Sequence, residues 1–312
     1  MTQDVIGEAL VRAFADEDLT ARITGPTTIG ISVPDVGDLS TDIGEWRAHA
    51  GRVAPADLPA FAADFVRGFA RGIRKQLDRA QAAAAVDIES LLAAEALRVR
   101  IYPEAALAEP PGMRDALLTR TLAPGLVETV VVDRPDSIVP LNRADLGGRP
   151  EDQVFGAALH ASLSREPHNA GTDEIWGVPI THIGETHRYI GSRVHVLRRF
   201  LGPAPYGALV SFPVPEYLIV HEIGGTHVIA AMEAMQALAR THVEKGENAL
   251  TAQVYWWRPG AYEQLPEAQA LAGGQVPDLR PVEIEVDHQE KSITPRTAET
   301  QELVDLWMRA NA

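Results

Sequence analysis

The chain has no cysteine among its 312 residues. A disulfide framework, a thiolate metal site and a cysteine nucleophile are therefore impossible. The sequence also lacks any apolar run near the roughly 20 residues of a membrane-spanning helix. Its first twenty residues carry acids near the start and no long apolar core, so they predict neither a signal peptide nor a transit peptide. These absences predict a cytoplasmic protein.

Positive charge is scarce in this sequence. The 28 Lys and Arg residues stand against 43 Asp and Glu residues, which gives a net charge of -15. Neutralising phosphates requires clustered cations, so this balance predicts no binding to nucleic acid. It also predicts no electrostatic association with a membrane surface. The composition suits a protein partner, and a basic one if the acidic charge matters.

The common catalytic motifs are missing as well. The sequence contains no GxSxG nucleophile turn, no GxxxxGK[ST] phosphate loop and no GxGxxG dinucleotide loop. Asp133 and Asp136 form a pair of carboxylates, but they lie at a turn, where such residues are favoured for backbone reasons. The motifs therefore predict no specific reaction.

Hydrophobic patterning predicts an α+β fold, in which mixed antiparallel hairpins pack against long amphipathic helices. Two apolar strands, at 208–212 and 217–220, flank a proline corner at 213–216. A helix follows that places Val228, Met232 and Met235 on one face. The rest of the fold is organised around this strand, corner, strand and helix.

The chain divides into two predicted domains. Residues 1–85 form a helix–hairpin–helix unit, with helices at 5–14 and 56–79 and strands at 19–23 and 28–33. Residues 86–312 form a larger α+β domain. Its remaining predicted strands are at 98–102, 126–132, 138–141, 175–183, 250–257 and 282–286, and its remaining helices are at 86–97, 150–163, 187–201 and 297–310.

Eight of the ten histidines crowd into residues 160–242, and this is the main candidate signal for chemistry. They are His160, His168, His182, His187, His195, His221, His227 and His242. One interpretation is a site for zinc or a similar divalent metal, built from His182, Glu185, His187, His221, Glu222 and His227. The segment that begins at His221 differs from the HExxH motif, because two glycines interrupt the helix that this motif requires.

The candidate site contains an internal echo, since the pattern Ile-Gly-x-Thr-His occurs at 183–187 and again at 223–227. Each copy follows a strand and precedes a helix. The structural interpretation is a strand-to-helix turn, in which glycine gives backbone freedom and Thr186 or Thr226 caps the helix. The alternative is an anion site, because free backbone N–H groups point outward at a helix start.

One aromatic pair is a candidate binding anchor. Trp256 and Trp257 end the strand at 250–257, and alternation predicts one ring inward and one outward. An exposed tryptophan there could anchor a partner, while core packing is the competing role.

The order of elements resembles the YtpQ-like family of bacterial cytosolic proteins, which has no agreed activity. The likeness rests on the N-terminal helix and hairpin, the VETVVVDRPDSIVPL segment, the alanine-rich helix at 150–163 and the strand pair at 206–220. The sequence departs from the family at Leu159-His160 and at Pro215-Glu216. The resemblance implies a cytosolic α+β protein and supplies no catalytic residues.

Together these observations favour a cytoplasmic protein that acts by binding another protein. The alternative is a metal-dependent hydrolase that uses the His/Glu-rich turns at 182–187 and 221–227. A third class, an immunity- or antitoxin-like protein, fits the acidity if its target is basic.

Overall fold

Two compact units make up the chain, Met1–Ala85 and Val86–Ala312. The structure is a computed structural model of the 312-residue chain. It describes residues 4–17, 19–33, 37–83, 87–108, 110–135, 137–184, 187–225, 227–246, 248–272 and 274–311. The fold is α+β in both units, as the patterning predicted.

In its described residues, the smaller unit consists of a three-stranded antiparallel sheet and three helices. Its elements are α1 (Val5–Asp16), β1 (Thr20–Ile23), β2 (Thr28–Val33), β3 (Gly37–Asp42), α2 (Gly44–Ala50) and α3 (Leu58–Ala83), with strand order β1-β2-β3. Alternate residues of β2, Ile29 and Ile31, face the core, where they meet Leu10 and Phe14 of α1. Asp4 begins α1, because its carboxylate accepts the backbone N–H of Gly7 at 2.9 Å.

The sequence missed one strand of this unit. The patterning predicted no strand between residue 33 and the helix at 56–79, but β3 occupies Gly37–Asp42 before α2 begins. The segment GDLSTD has little β propensity of its own. Its register against β2, from Thr28 opposite Asp42 to Val33 opposite Gly37, supplies the hydrogen bonds that make it a strand.

The larger unit contains two principal sheets. Its elements are α4 (Ile88–Ala93), β4 (Leu97–Pro103), α5 (Met113–Ala116), β5 (Thr119–Ala123), β6 (Leu126–Arg134), β7 (Ser137–Pro140), α6 (Glu151–Arg165), β8 (Asn169–Ile175), β9 (Val178–Gly184), β10 (Ala208–Val214), β11 (Tyr217–Glu222), α7 (Val228–Lys245), β12 (Val254–Trp257), α8 (Ala261–Gln264), α9 (Glu267–Ala272), β13 (Leu279–Val282), β14 (Ile284–Asp287), β15 (Ser292–Pro295) and α10 (Ala298–Asn311). Three 3₁₀ segments complete the described elements, at Glu104–Leu107, Arg143–Leu146 and Ile190–Arg199.

These elements are layered. A six-stranded sheet has the order β13-β12-β10-β11-β9-β8, and a four-stranded sheet joins β4, β6, β5 and β7. Side chains from both sheets and from the 3₁₀ segment Ile190–Arg199 form one apolar cluster. Helices α7 and α10 cover the other face of the six-stranded sheet, and α6 packs on β4 and β6. The strand β8 lies at one edge of the six-stranded sheet.

The central strand, corner, strand and helix are confirmed. The strands β10 and β11 pair antiparallel, with a register shift between Ser211 and Val214 at the proline corner. Val228, Met232 and Met235 are buried on the face of α7 that packs against the sheet. The corner works because Pro215 lies in the turn, where no ladder hydrogen bond is required of it.

Three expectations in the larger unit were wrong. Residues 175–183 are not one strand, because a turn at Trp176-Gly177 separates β8 from β9. Residues 187–201 do not form an α-helix; they contain the 3₁₀ segment Ile190–Arg199, which is broken at Val196. The expected strand at 282–286 is likewise divided, since β13 ends at Val282 and β14 begins at Ile284.

None of the helices in the described ranges is long and apolar enough to cross a bilayer.

Candidate functional site

His221 and Glu222, two residues of the hypothetical metal site, form hydrogen bonds with backbone groups of different segments. The buried His221 on β11 contacts the carbonyl oxygen of Pro179 through Nδ1 at 2.8 Å. Its neighbour Glu222 accepts the backbone N–H groups of Gly202 at 2.9 Å and Ala204 at 3.0 Å. Successive strand residues point to opposite faces, so His221 and Glu222 diverge.

The two histidines of the repeated turn cap backbone in the same way. His187 accepts the N–H of Tyr189 through Nδ1 at 3.0 Å, and His227 accepts the N–H of Ile229 at 3.3 Å. His227 is the N-cap of α7, and its ring lies 4.5 Å from that of Trp307. The expected threonine caps, Thr186 and Thr226, lie outside the described residues. At both turns the described cap is thus a histidine side chain that accepts the backbone N–H two residues later.

The described candidates do not converge on one point. Over the ranges that the structure covers, no three His, Asp or Glu side chains are grouped so that they could hold a metal ion. Glu185 lies outside those ranges. His182 is on β9, opposite Ile219 of β11, and lines a surface concavity described below. A zinc site at these turns stays a prediction.

A buried polar network that the sequence did not reveal links the four-stranded sheet to the segment Ile190–Arg199 and to α8. Glu128 of β6 accepts from Arg120 of β5 at 2.7 Å, and its other oxygen contacts His195 Nε2 at 2.6 Å. The Nδ1 atom of His195 contacts the hydroxyl of Tyr262 at 2.8 Å. The side chains of Glu128 and His195 have no exposed surface. This network joins β5, β6, the segment Ile190–Arg199 and α8.

The charge on Glu128 is strongly stabilised. Burial raises the pKa of its carboxyl, but the positive charges of His195 and Arg120, with their hydrogen bonds, outweigh burial and lower the pKa from 4.5 to about 2. A signal existed in the sequence, because Glu128 is the single charge within the apolar strand LVETVVV. Since the Glu128 carboxylate and the His195 imidazole have no exposed surface, the network connects elements of the fold.

The hairpin of β8 and β9 exposes the first of its two strands. Asn169 to Glu174 are all exposed, and Ile175 is partly buried. At its tip, Trp176 has 70% of its surface exposed. Trp256 and Trp257, by contrast, are both buried, one in each apolar cluster, which confirms core packing, and neither ring faces outward as the alternation predicted.

The turn geometry fixes which backbone groups of β8 are free. Trp176 and Gly177 both have positive φ, 52° and 76°, as a two-residue type I′ turn requires. The flanking pair, Ile175 and Val178, is then hydrogen-bonded, and such pairs alternate along the ladder. The N–H and C=O groups of Ala170, Thr172 and Glu174 therefore point away from β9, along the open edge of the sheet.

A concavity of about 230 Å³ lies beside this edge. Its lining residues are Asn169, Ala170, Gly171, Asp173, His182, Gly184 and Tyr217. Gly171 opens the space, since a Cβ added there would meet nothing within 4 Å. Asp173 lies on the same face of β8, while Glu174 points to the opposite face.

Trp176 carries backbone strain that an ordinary turn residue would relieve. A non-glycine residue in the left-handed region costs about 1 kcal/mol or more, and asparagine tolerates that region better. We expect Trp176→Asn to raise the free energy of unfolding by about 1 kcal/mol, measured by urea unfolding. Trp176→Ala, which removes the ring but keeps the strain, is the control. Equal stability of the two variants would contradict the strain argument.

A scan against models of protein families, a search of curated proteins and a search of solved structures each found no match to this chain.

Proposed function

We propose that this is a cytoplasmic protein that acts by binding another protein, and that the free edge of β8, together with Trp176, forms the contact. The observation that carries the proposal is an edge strand exposed along almost its whole length. Such an edge presents unpaired backbone donors and acceptors, which an extended segment of a partner can use to add a strand.

The surroundings of the edge support this role. Natural proteins usually shorten, bend or cover their edge strands to prevent unwanted pairing, but β8 runs for seven residues in regular register with β9. An aromatic ring with 70% exposure stands next to it. Tryptophan is enriched among the residues that dominate binding energy, and Trp176 adopts a strained turn conformation although most of its surface is exposed.

Photo-crosslinking tests the proposal. Benzoylphenylalanine in place of Trp176 in the full chain should give a discrete adduct with one protein in an extract of the source cells. The control is the same amino acid at Ile293, which has 47% exposure and lies on the β14–β15 hairpin. Adduct formation at 176 but not at 293 is the expected result. No discrete adduct at 176, or the same adducts at both positions, would overturn the proposal.

Membership of the YtpQ-like family is also a proposal. It is supported by the segment VETVVVDRPDSIVPL, which forms the β6–β7 hairpin, and by the β10–β11 pair. A solved structure of a family member with a different strand order in these sheets would count against it.

A further inference from the structure

The face of β8 that carries Gly171 and Asp173 combines an exposed carboxylate with open space, and these two properties favour some partner side chains over others. The carboxylate of Asp173 is exposed and makes no hydrogen bond or ion pair with the residues that the structure describes. It lines the concavity of about 230 Å³ together with Asn169, which carries an amide oxygen four residues earlier on the same face of β8. The space between them lies over Gly171, where no side chain intrudes.

Resting on the proposed function, we propose that the partner segment is an extended strand that pairs with β8 and places one lysine or arginine side chain in this concavity, against Asp173. A strand added to β8 lies about 4.8 Å away, and its alternate side chains project over the same face. A long basic side chain can cross the open surface above Gly171 with its charged end at the carboxylate.

A second copy of the chain fits this edge less well. Two β8 strands paired antiparallel would place the Asp173 carboxylates of both copies on one face of the seam and the Glu174 carboxylates on the other, two negative charges on each face. Like charges on neighbouring strands are destabilising. The net charge of -15 adds a general repulsion between copies and attracts a basic segment instead.

A randomised library of seven-residue peptides, selected on the full-length protein, tests the inference. Peptides that depend on the free edge are recognised by loss of binding to Thr172→Pro. Among these, we expect enrichment of lysine or arginine at one position. The enriched peptides should bind Asp173→Asn about fivefold more weakly than the wild type, as expected for an exposed ion pair.

Matched variants separate charge from shape. Glu174→Gln makes the same charge change on the opposite face of the same strand, and we expect less than a twofold effect. Gly171→Val keeps every charge but fills the concavity, and it should remove the preference for the basic residue. No Cβ clash accompanies this change, since the space over Gly171 is open.

The outcomes distinguish this inference from the proposed function. Edge-dependent peptides with no basic position, or equal losses in Asp173→Asn and Glu174→Gln, overturn the inference and leave strand addition standing. If no selected peptide depends on Thr172, both the inference and strand addition at β8 are overturned.

Discussion

Replacing Glu128 with glutamine is expected to lower the free energy of unfolding of the larger unit by about 3 kcal/mol. The carboxylate lies fully buried between Arg120 and His195, with contacts of 2.7 and 2.6 Å. Glutamine keeps the shape but not the charge, so a guanidinium that stacks 4.4 Å over Phe155 loses its counter-ion. Urea unfolding of the full chain measures the loss of stability. Pulsed hydrogen exchange, read out on peptides of the larger unit, assigns that loss to this unit.

Glu267→Gln is the matched control for this substitution. Glu267 pairs with Arg199, on the same 3₁₀ segment as His195, but both side chains are about half exposed. Exposed ion pairs contribute at most about 1 kcal/mol, so the control should lose much less stability. Equal losses in the two variants would show that the buried network has no special role.

The stability effect of Glu128→Gln is also expected to depend on pH. The folded-state pKa of Glu128 is lowered from 4.5 to about 2, so its contribution to stability is complete above pH 4.5 and is lost as the pH falls toward 2. We expect the difference in stability between wild type and Glu128→Gln to shrink across that window. A difference that stays constant from pH 5 to pH 3 would contradict the account.

Local patterns predicted much of this fold, because the elements concerned have strong periodicity of their own. The helix α3, the β6–β7 hairpin and the β10–β11–α7 centre all follow from apolar spacing and from prolines placed in turns. The strand β3 and the 3₁₀ segment were missed because their conformation depends on neighbours. The β8–β9 hairpin was missed because its turn is Trp176-Gly177, whereas the residues typical of a type I′ turn are Asn-Gly or Asp-Gly.

The buried network of Glu128 and His195 could not be predicted from the sequence for a different reason. Glu128 and His195 are 67 residues apart, so no spacing rule links them. His195 was noticed only as one of eight crowded histidines. That crowding has no single cause, since His187 and His227 cap backbone, His221 contacts Pro179 and His195 joins the buried network. One residue type here serves several structural purposes.

Thr172→Pro is expected to abolish partner binding, with at least a hundredfold loss of affinity. The Thr172 N–H lies at the centre of the open edge, so proline removes a donor and blocks the approach of a pairing strand. The β8–β9 ladder does not use this N–H, and proline is tolerated on edge strands at such positions. The free protein should therefore stay folded, with an unchanged urea midpoint within error.

The most direct test of the account is to compare Thr172→Pro with Thr172→Ala in binding to the protein recovered by cross-linking at Trp176. Both variants lose the hydroxyl contact with Thr181, which is 2.9 Å in the wild type, and only the proline variant loses the outward N–H. If a strand adds to β8, the alanine variant binds within about threefold of the wild type and the proline variant does not bind measurably. Equal binding by the two variants would contradict the account.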